Sequence, residues 1–223
     1  MRIFTRDKIH LNELFTADRI ETLLHLANLV GEEEAFLTEK SDVFDVKVVV
    51  EAQKCLCNLI FNSITTQKLC ANNSCIEGIM LRLRMHPDPL LPNEVKYFDM
   101  RMLFIISALC AEVRPRIRDE YHGLIYLMES IDLILKNNAD YLSEKVPNMN
   151  KRRSKGSRRG KKVPGNGSFG NDDDSLVAYC LDDWEVDLAI EVLKVLYNLT
   201  VNIDKNNLDE VSNSIMKFYI QLL

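Results

Sequence analysis

The chain has 223 residues, of which 47% are hydrophobic and 27% charged, the balance of a globular protein. The net charge of −5 argues against general nucleic-acid binding, and no run of about 18 apolar residues predicts a membrane span. The first residues, MRIFTRDKIHLNE, have no apolar core, so no signal peptide is predicted.

Helical periodicity predicts a succession of helices with short connections. The predicted helices run through Ile20 to Val30, then from about Val46 to Asn62, Gln67 to Met85, Glu94 to Cys110, Leu124 to Leu135, Trp184 to Asn202 and Leu208 to Leu222. Gly31 and the prolines between His86 and Pro92 separate the early helices. Alternating strand patterns are essentially absent, which predicts an all-α bundle or solenoid without a sheet.

An internal repeat favours the solenoid. Residues 51–62 read EAQKCLCNLIFN and residues 191–202 read EVLKVLYNLTVN, so both fit Glu-x-x-Lys-x-Leu-x-Asn-Leu-x-x-Asn. Their separation corresponds to about three units of a repeat of about forty residues, once the irregular segment between them is discounted. The apolar helix from Tyr97 to Cys110 is interpreted as the same element in an intervening unit.

The repeated motif places polar residues on one side of its helix. On a helical wheel the polar face of the first copy holds Glu51, Lys54, Asn58 and Asn62, and the second copy gives the same pattern. Asparagine is a mediocre helix former, so its recurrence at i and i+4 needs an explanation. Two remain open: the amides connect neighbouring repeats, or they hold the backbone of a bound peptide or helix.

No motif predicts bond chemistry. Six cysteines, mostly in apolar helical runs, are interpreted as reduced core thiols, and four histidines lack metal-ligand spacing. GNGSFG at residues 165–170 formally matches Gly-x-Gly-x-x-Gly, but it lacks the preceding strand and the downstream lysine that phosphate chemistry needs. We therefore predict a protein that is not an enzyme, with no catalytic residue, cofactor or metal site.

The segment 143–176 differs from the rest of the chain in composition. It contains KRRSKGSRRGKK at residues 151–162, then three aspartates, and few apolar side chains. It is interpreted as a disordered, solvated loop, with nuclear targeting or contact with an acidic surface as the alternative. The predicted organisation is helical repeats over 1–142, this loop over 143–176, and further helices of the same solenoid over 177–223.

Three ordered segments resemble a known family. VVVEAQKCLCNLIFNS, VKYFDMRMLFIISALCAEVRPRI and AIEVLKVLYNLTVN are similar to the synembryns, the exchange factors and folding chaperones of heterotrimeric G-protein α subunits. The resemblance covers nearly everything outside 143–176. It implies an armadillo/HEAT-like, right-handed α solenoid, here a fragment that starts inside the family's first repeats and lacks its second half.

The resemblance also implies a function and a set of residues. The concave surface of a synembryn takes the C-terminal helix of a GDP-bound or nucleotide-free Gα subunit, promotes GDP release by stabilising an open conformer, and assists Gα folding. The implied partner-binding residues are Arg2, Arg6, Asn58 and Phe98, with Asn62, Arg101, Asn198 and Asn202 as further candidates from the helical wheel. The implied location is the cytoplasm, with recruitment to the cell cortex or plasma membrane through G proteins. A generic armadillo scaffold or adaptor for another peptide or helix is the alternative.

We expect deletion of residues 145–174 to change the free energy of unfolding by less than about 1 kcal/mol. The segment has too few apolar groups to offset an ordering cost of about 1–2 kcal/mol per residue. Thermal or denaturant unfolding of the deletion variant beside the full chain measures this, and a larger loss of stability would contradict the disorder prediction.

Overall fold

A computed structural model describes residues 4–6, 10–31, 45–145 and 181–201, with side chains described up to residue 136 in the third range. The elements are a 3₁₀ turn (Phe4–Arg6), α1 (Leu11–Leu14), α2 (Ala17–Leu26), α3 (Val46–Asn62), α4 (Ile64–Asn72), α5 (Ser74–Leu83), α6 (Asn93–Leu109), a 3₁₀ turn (Ala111–Val113), a π-helical turn (Arg116–Glu120), α7 (Gly123–Lys145) and α8 (Asp183–Thr200). No strand occurs within these ranges, which confirms the all-α prediction.

Three long helices lie side by side and position the site. α6 lies between α3 and α8, α2 packs against α3, and α7 packs against α8. The two copies of the repeated motif therefore lie on either side of α6. Their apolar faces are buried as predicted, since Leu56 and Leu59 on α3 and Leu196 and Leu199 on α8 are at most 1% exposed.

The predicted helix from Gln67 to Met85 is wrong, because the chain forms two helices there. Asn73 has extended backbone angles (φ −100°, ψ −165°), and its side chain accepts a hydrogen bond from the backbone N–H of Cys75 at 3.0 Å, which caps α5. Ser63 ends α3 and caps α4 in the same way, accepting from Thr66 at 3.1 Å. Short polar side chains that bond to their own backbone favour such breaks over continued helix.

Other helix ends differ less from prediction. α2 ends at Leu26 and Asn28 has φ 54°, so the helix stops before Gly31. α7 extends to Lys145, three residues into the segment predicted to be a loop. The rest of that segment, including the basic run 151–162, and the predicted helix from Leu208 lie outside the described residues. Within the described part, no helix is long and apolar enough to cross a membrane.

A buried ion pair joins four helices. Arg82 on α5 donates from Nε and Nη2 to the carboxylate of Asp99 on α6, at 2.6 Å and 2.5 Å, and the two side chains are 6% and 0% exposed. Gln53 on α3 donates to Asp99 Oδ1 at 2.8 Å, and Arg82 Nη1 donates to the carbonyl of Ala27 at the end of α2 at 2.8 Å. Burial raises the pKa of the Asp99 carboxyl, and the adjacent guanidinium opposes that rise.

We expect Arg82→Met to lower the free energy of unfolding at pH 7 by about 3–5 kcal/mol, because it leaves a buried carboxylate without its partner. The pKa of Asp99 rises further without the guanidinium, so Asp99 takes up a proton more readily and the loss should shrink as the pH falls. Urea unfolding at several pH values measures both effects.

Lys136→Met is the matched control, because Lys136 and Asp132 form an ion pair whose side chains are both exposed. Its urea midpoint should equal that of the wild type. If Arg82→Met lost no more stability than Lys136→Met, or if its loss grew at low pH, Arg82 would not be the charge partner that stabilises the buried Asp99 carboxylate.

Candidate functional site

The candidate site is a surface that we call the α3–α6–α8 face. It is made of polar and aromatic side chains that the three neighbouring helices bring together. Its members are Lys54, Asn58, Asn62, Phe98, Arg101, Phe104, Glu191, Lys194 and Asn198. Of the predicted residues, Asn58, Asn62, Phe98, Arg101 and Asn198 belong to it. Arg2 and Asn202 lie outside the described residues, and Arg6 is exposed in the N-terminal turn.

Lys54 connects α3 to α6. Its ammonium lies 3.2 Å from both Glu51 on its own helix and Glu94 on α6, and 5.2 Å from the centre of the Phe98 ring. Burial by itself would lower the pKa of Lys54, but hydrogen bonds to the two carboxylates raise it above its ordinary value. Lys54 is therefore a charged residue at the α3–α6 edge of the face.

Glu191 holds two cations between α6 and α8. Its side chain is buried, and Oε1 accepts from Arg101 at 2.9 Å and from Lys194 at 2.8 Å. Both cations also lie over the ring of Phe104, at 5.7 Å and 5.4 Å from its centre. Two positive charges and one negative charge leave this group with a net charge of +1, and each cation is still 39% exposed. The group can therefore attract a further anion from solvent.

The two asparagines of the first repeat copy hold the N-terminal turn. Asn58 donates to the hydroxyl of Thr5 at 3.1 Å, and Asn62 donates to the carbonyl of the same residue at 3.2 Å. Thr5 is fully buried, whereas both asparagines are half-buried. The amides thus fix the backbone next to Arg6 and keep part of their own surface accessible to solvent.

The asparagine of the second copy has a different environment. Asn198 is only 8% exposed and donates to the Phe104 carbonyl at 3.3 Å and to the Ser107 hydroxyl at 3.1 Å, both on α6. The alternative that the sequence left open, an amide connecting neighbouring helices, is therefore what the structure shows for Asn198. That any member of the face contacts a partner stays a prediction.

Sequence reasoning did not name Lys54, Phe104, Glu191 or Lys194 as partner-binding candidates, although the repeated motif places Lys54, Glu191 and Lys194 on the polar side of its helix. The motif had matched Glu191 to Glu51 and Lys194 to Lys54, but nothing in the pattern predicted that Arg101 of the next helix would share the same carboxylate. Phe104 lies three residues after Arg101, so the i, i+3 rule was the available signal.

Comparison with known proteins points to the same family that the sequence resembles. A family model described as the guanine nucleotide exchange factor synembryn, Ric8, matches residues 1–223. Chaperone Ric-8A of Gallus gallus is 29% identical over 210 residues, which is 94% of this chain and 33% of that protein. Chaperone Ric-8B of Mus musculus is 31% identical over 204 residues, which is 91% of this chain and 33% of that protein. The chain thus spans about a third of the length of the curated relatives that it matches.

We expect Asn198→Ala to lower the free energy of unfolding by about 1–3 kcal/mol, because it removes a buried amide together with its hydrogen bonds to Phe104 and Ser107 on α6. Asn62→Ala is the control, since the Asn62 side chain, unlike that of Asn198, is half-buried, and its cost should stay below about 1 kcal/mol. Denaturant unfolding of both variants tests this. Equal losses of unfolding free energy in the two variants would show that burial does not distinguish Asn198 from Asn62.

Proposed function

The chain belongs to the synembryn family of guanine nucleotide exchange factors, and from this premise we propose that it binds the α subunit of a heterotrimeric G protein through the α3–α6–α8 face. The observation that carries the proposal is the group of Arg101, Lys194 and Glu191 around Phe104. It offers exposed positive charge beside an aromatic ring, on the same face as the half-buried amide of Asn58.

The occupant proposed for the face is the C-terminal helix of the Gα subunit. A helix lying in a groove needs apolar anchors and a polar rim, and Phe98 and Phe104 supply aromatic surface between the cations. The chain terminus of such a helix is a carboxylate, which a guanidinium binds with charge-assisted hydrogen bonds. Arg6 is exposed at the end of the N-terminal turn that Asn58 and Asn62 hold, and it is a suitable donor for that terminus.

The proposed activity is the release of GDP and assistance to Gα folding. Withdrawing the C-terminal helix from the Gα subunit selects a conformer that holds nucleotide weakly, so the exchange rate rises through a population shift. No bond is made or broken by this chain in that scheme. Encounter between the two proteins, either in the cytoplasm or at a membrane to which G proteins recruit the chain, is sufficient.

We expect Arg2→Ala with Arg6→Ala to weaken binding to GDP-bound Gα by at least about tenfold, because guanidinium–carboxylate hydrogen bonds contribute about 1.5–3 kcal/mol and 1.4 kcal/mol is a factor of ten. Added salt should narrow the difference, since Arg6 is exposed. Calorimetric titration, with melting curves of both proteins, measures the effect.

Two controls sharpen this test. Lys136→Ala removes an exposed cation on α7, outside the α3–α6–α8 face, and should bind as the wild type does. Gα without its last helical turn should bind the wild type and the arginine variant equally weakly. Full affinity for the shortened Gα would favour a generic scaffold, and affinity lost only together with stability would remove the arginines from the site.

A further inference from the structure

A small polar cleft lies where the N-terminal ends of α6 and α8 meet α7. It has a volume of about 60 Å³, and its polar lining is His86, Asn93, Lys96, Ser130, Trp184 and Glu185. None of the residues that line the cleft is a member of the α3–α6–α8 face. A single water needs only about 10–15 Å³, so the cleft has room for a larger polar guest.

Lys96 brings a buried positive charge to the cleft. Its side chain is 7% exposed, and its ammonium donates to the carbonyls of His86 at 2.7 Å and Asp88 at 3.4 Å. Within the described ranges no carboxylate forms an ion pair with it. Burial lowers the pKa of Lys96, and the charge of Asp88 opposes that effect. An ammonium has three donors, so one remains for a ligand.

His86 brings a buried donor to the same place. The ring is 1% exposed, its Nδ1 lies 3.2 Å from the Ser130 hydroxyl, and its buried Nε2 has no hydrogen-bond partner among the described residues. Burial, with the charges of Lys96 and Arg82, lowers the pKa of His86 to about 3, so the ring is neutral at physiological pH. When Ser130 donates to Nδ1, the ring proton lies on Nε2, which is then a donor.

The first turn of α6 adds backbone donors. Pro92 precedes this 17-residue helix and supplies no side-chain cap for the N–H groups at its start, and Asn93 of that first turn lines the cleft. The N-terminus of a helix also carries a partial positive charge. The acidic group at the cleft, Glu185, is engaged in the capping box of α8, where it accepts from the backbone of Asp182 at 3.1 Å.

We propose that this cleft binds a phosphate group, either the free ion or the phosphate of a phosphorylated side chain. Lys96 and the Nε2–H of His86 donate from inside the cleft, and the start of α6 donates at its mouth. A tetrahedral oxyanion fits this set because it accepts several hydrogen bonds at once and is stabilised by an ammonium and a helix N-terminus together. The site is separate from the proposed Gα contact, so either can fail without the other.

Titration of the full chain with inorganic phosphate, at constant ionic strength balanced with sodium chloride, tests the proposal. We expect a rise in melting temperature that saturates with phosphate, and chemical-shift changes in the His86 ring. Lys96→Met should weaken phosphate binding by at least about tenfold, because it removes a charged donor.

A second variant, Asn93→Asp, distinguishes loss of phosphate binding from loss of the fold. Asn93 is exposed in the first turn of α6, where a carboxylate stabilises the helix. This variant should therefore melt above the wild type without phosphate, yet lose the phosphate-dependent rise.

Methyl phosphate separates the two sources of ligand: binding like that of inorganic phosphate identifies a phosphorylated side chain, and weaker binding identifies the free ion. The proposal would be overturned if the melting temperature of the wild type showed no saturating rise with phosphate. It would also be overturned if Lys96→Met and Asn93→Asp kept that rise.

Discussion

The buried pair of Arg82 and Asp99 is the constraint on which the arrangement of the helices depends. Two charges removed from water require mutual contact and further hydrogen bonds, and here those bonds come from Gln53 on α3 and the end of α2. Satisfying one ion pair therefore fixes α2, α3, α5 and α6 relative to one another. The α3–α6–α8 face rests on this fixed position of α6, because its contacts require helix spacing accurate to within an ångström or so.

The same physical rule operates at the face, with a different outcome. Glu191 is buried as Asp99 is, but its cations, Arg101 and Lys194, remain partly in water. The carboxylate holds the two side chains over Phe104 while their charges stay accessible to an approaching anion. Burying the acid and exposing the bases arranges positive charge in advance, so less conformational entropy is lost when a partner binds.

Local and periodic features were predictable from the sequence. The helix from Val46 to Asn62 has the predicted bounds, because Asp45 caps its start and a clear apolar stripe runs along it. The break at Asn73 was missed because a single capping side chain outweighed an otherwise continuous helical pattern. The sequence could not predict the Arg82–Asp99 pair or the carboxylate of Glu191 that two cations share, since contacts between distant residues leave no periodic signature. For the same reason the wheel could not tell that Asn198 would be buried and Asn58 only half-buried.

The attachment of the N-terminal turn to α3 has a consequence for how genetic data on this chain should be interpreted. Asn58 and Asn62 both bond to Thr5, the residue directly before Arg6. A substitution at either asparagine removes one of the two amide hydrogen bonds that hold the residue before that arginine. Loss of binding after such a substitution therefore does not identify the asparagine as a contact. Asparagine and arginine substitutions should be epistatic, with a combined effect smaller than the sum of the two, because each disables the same element.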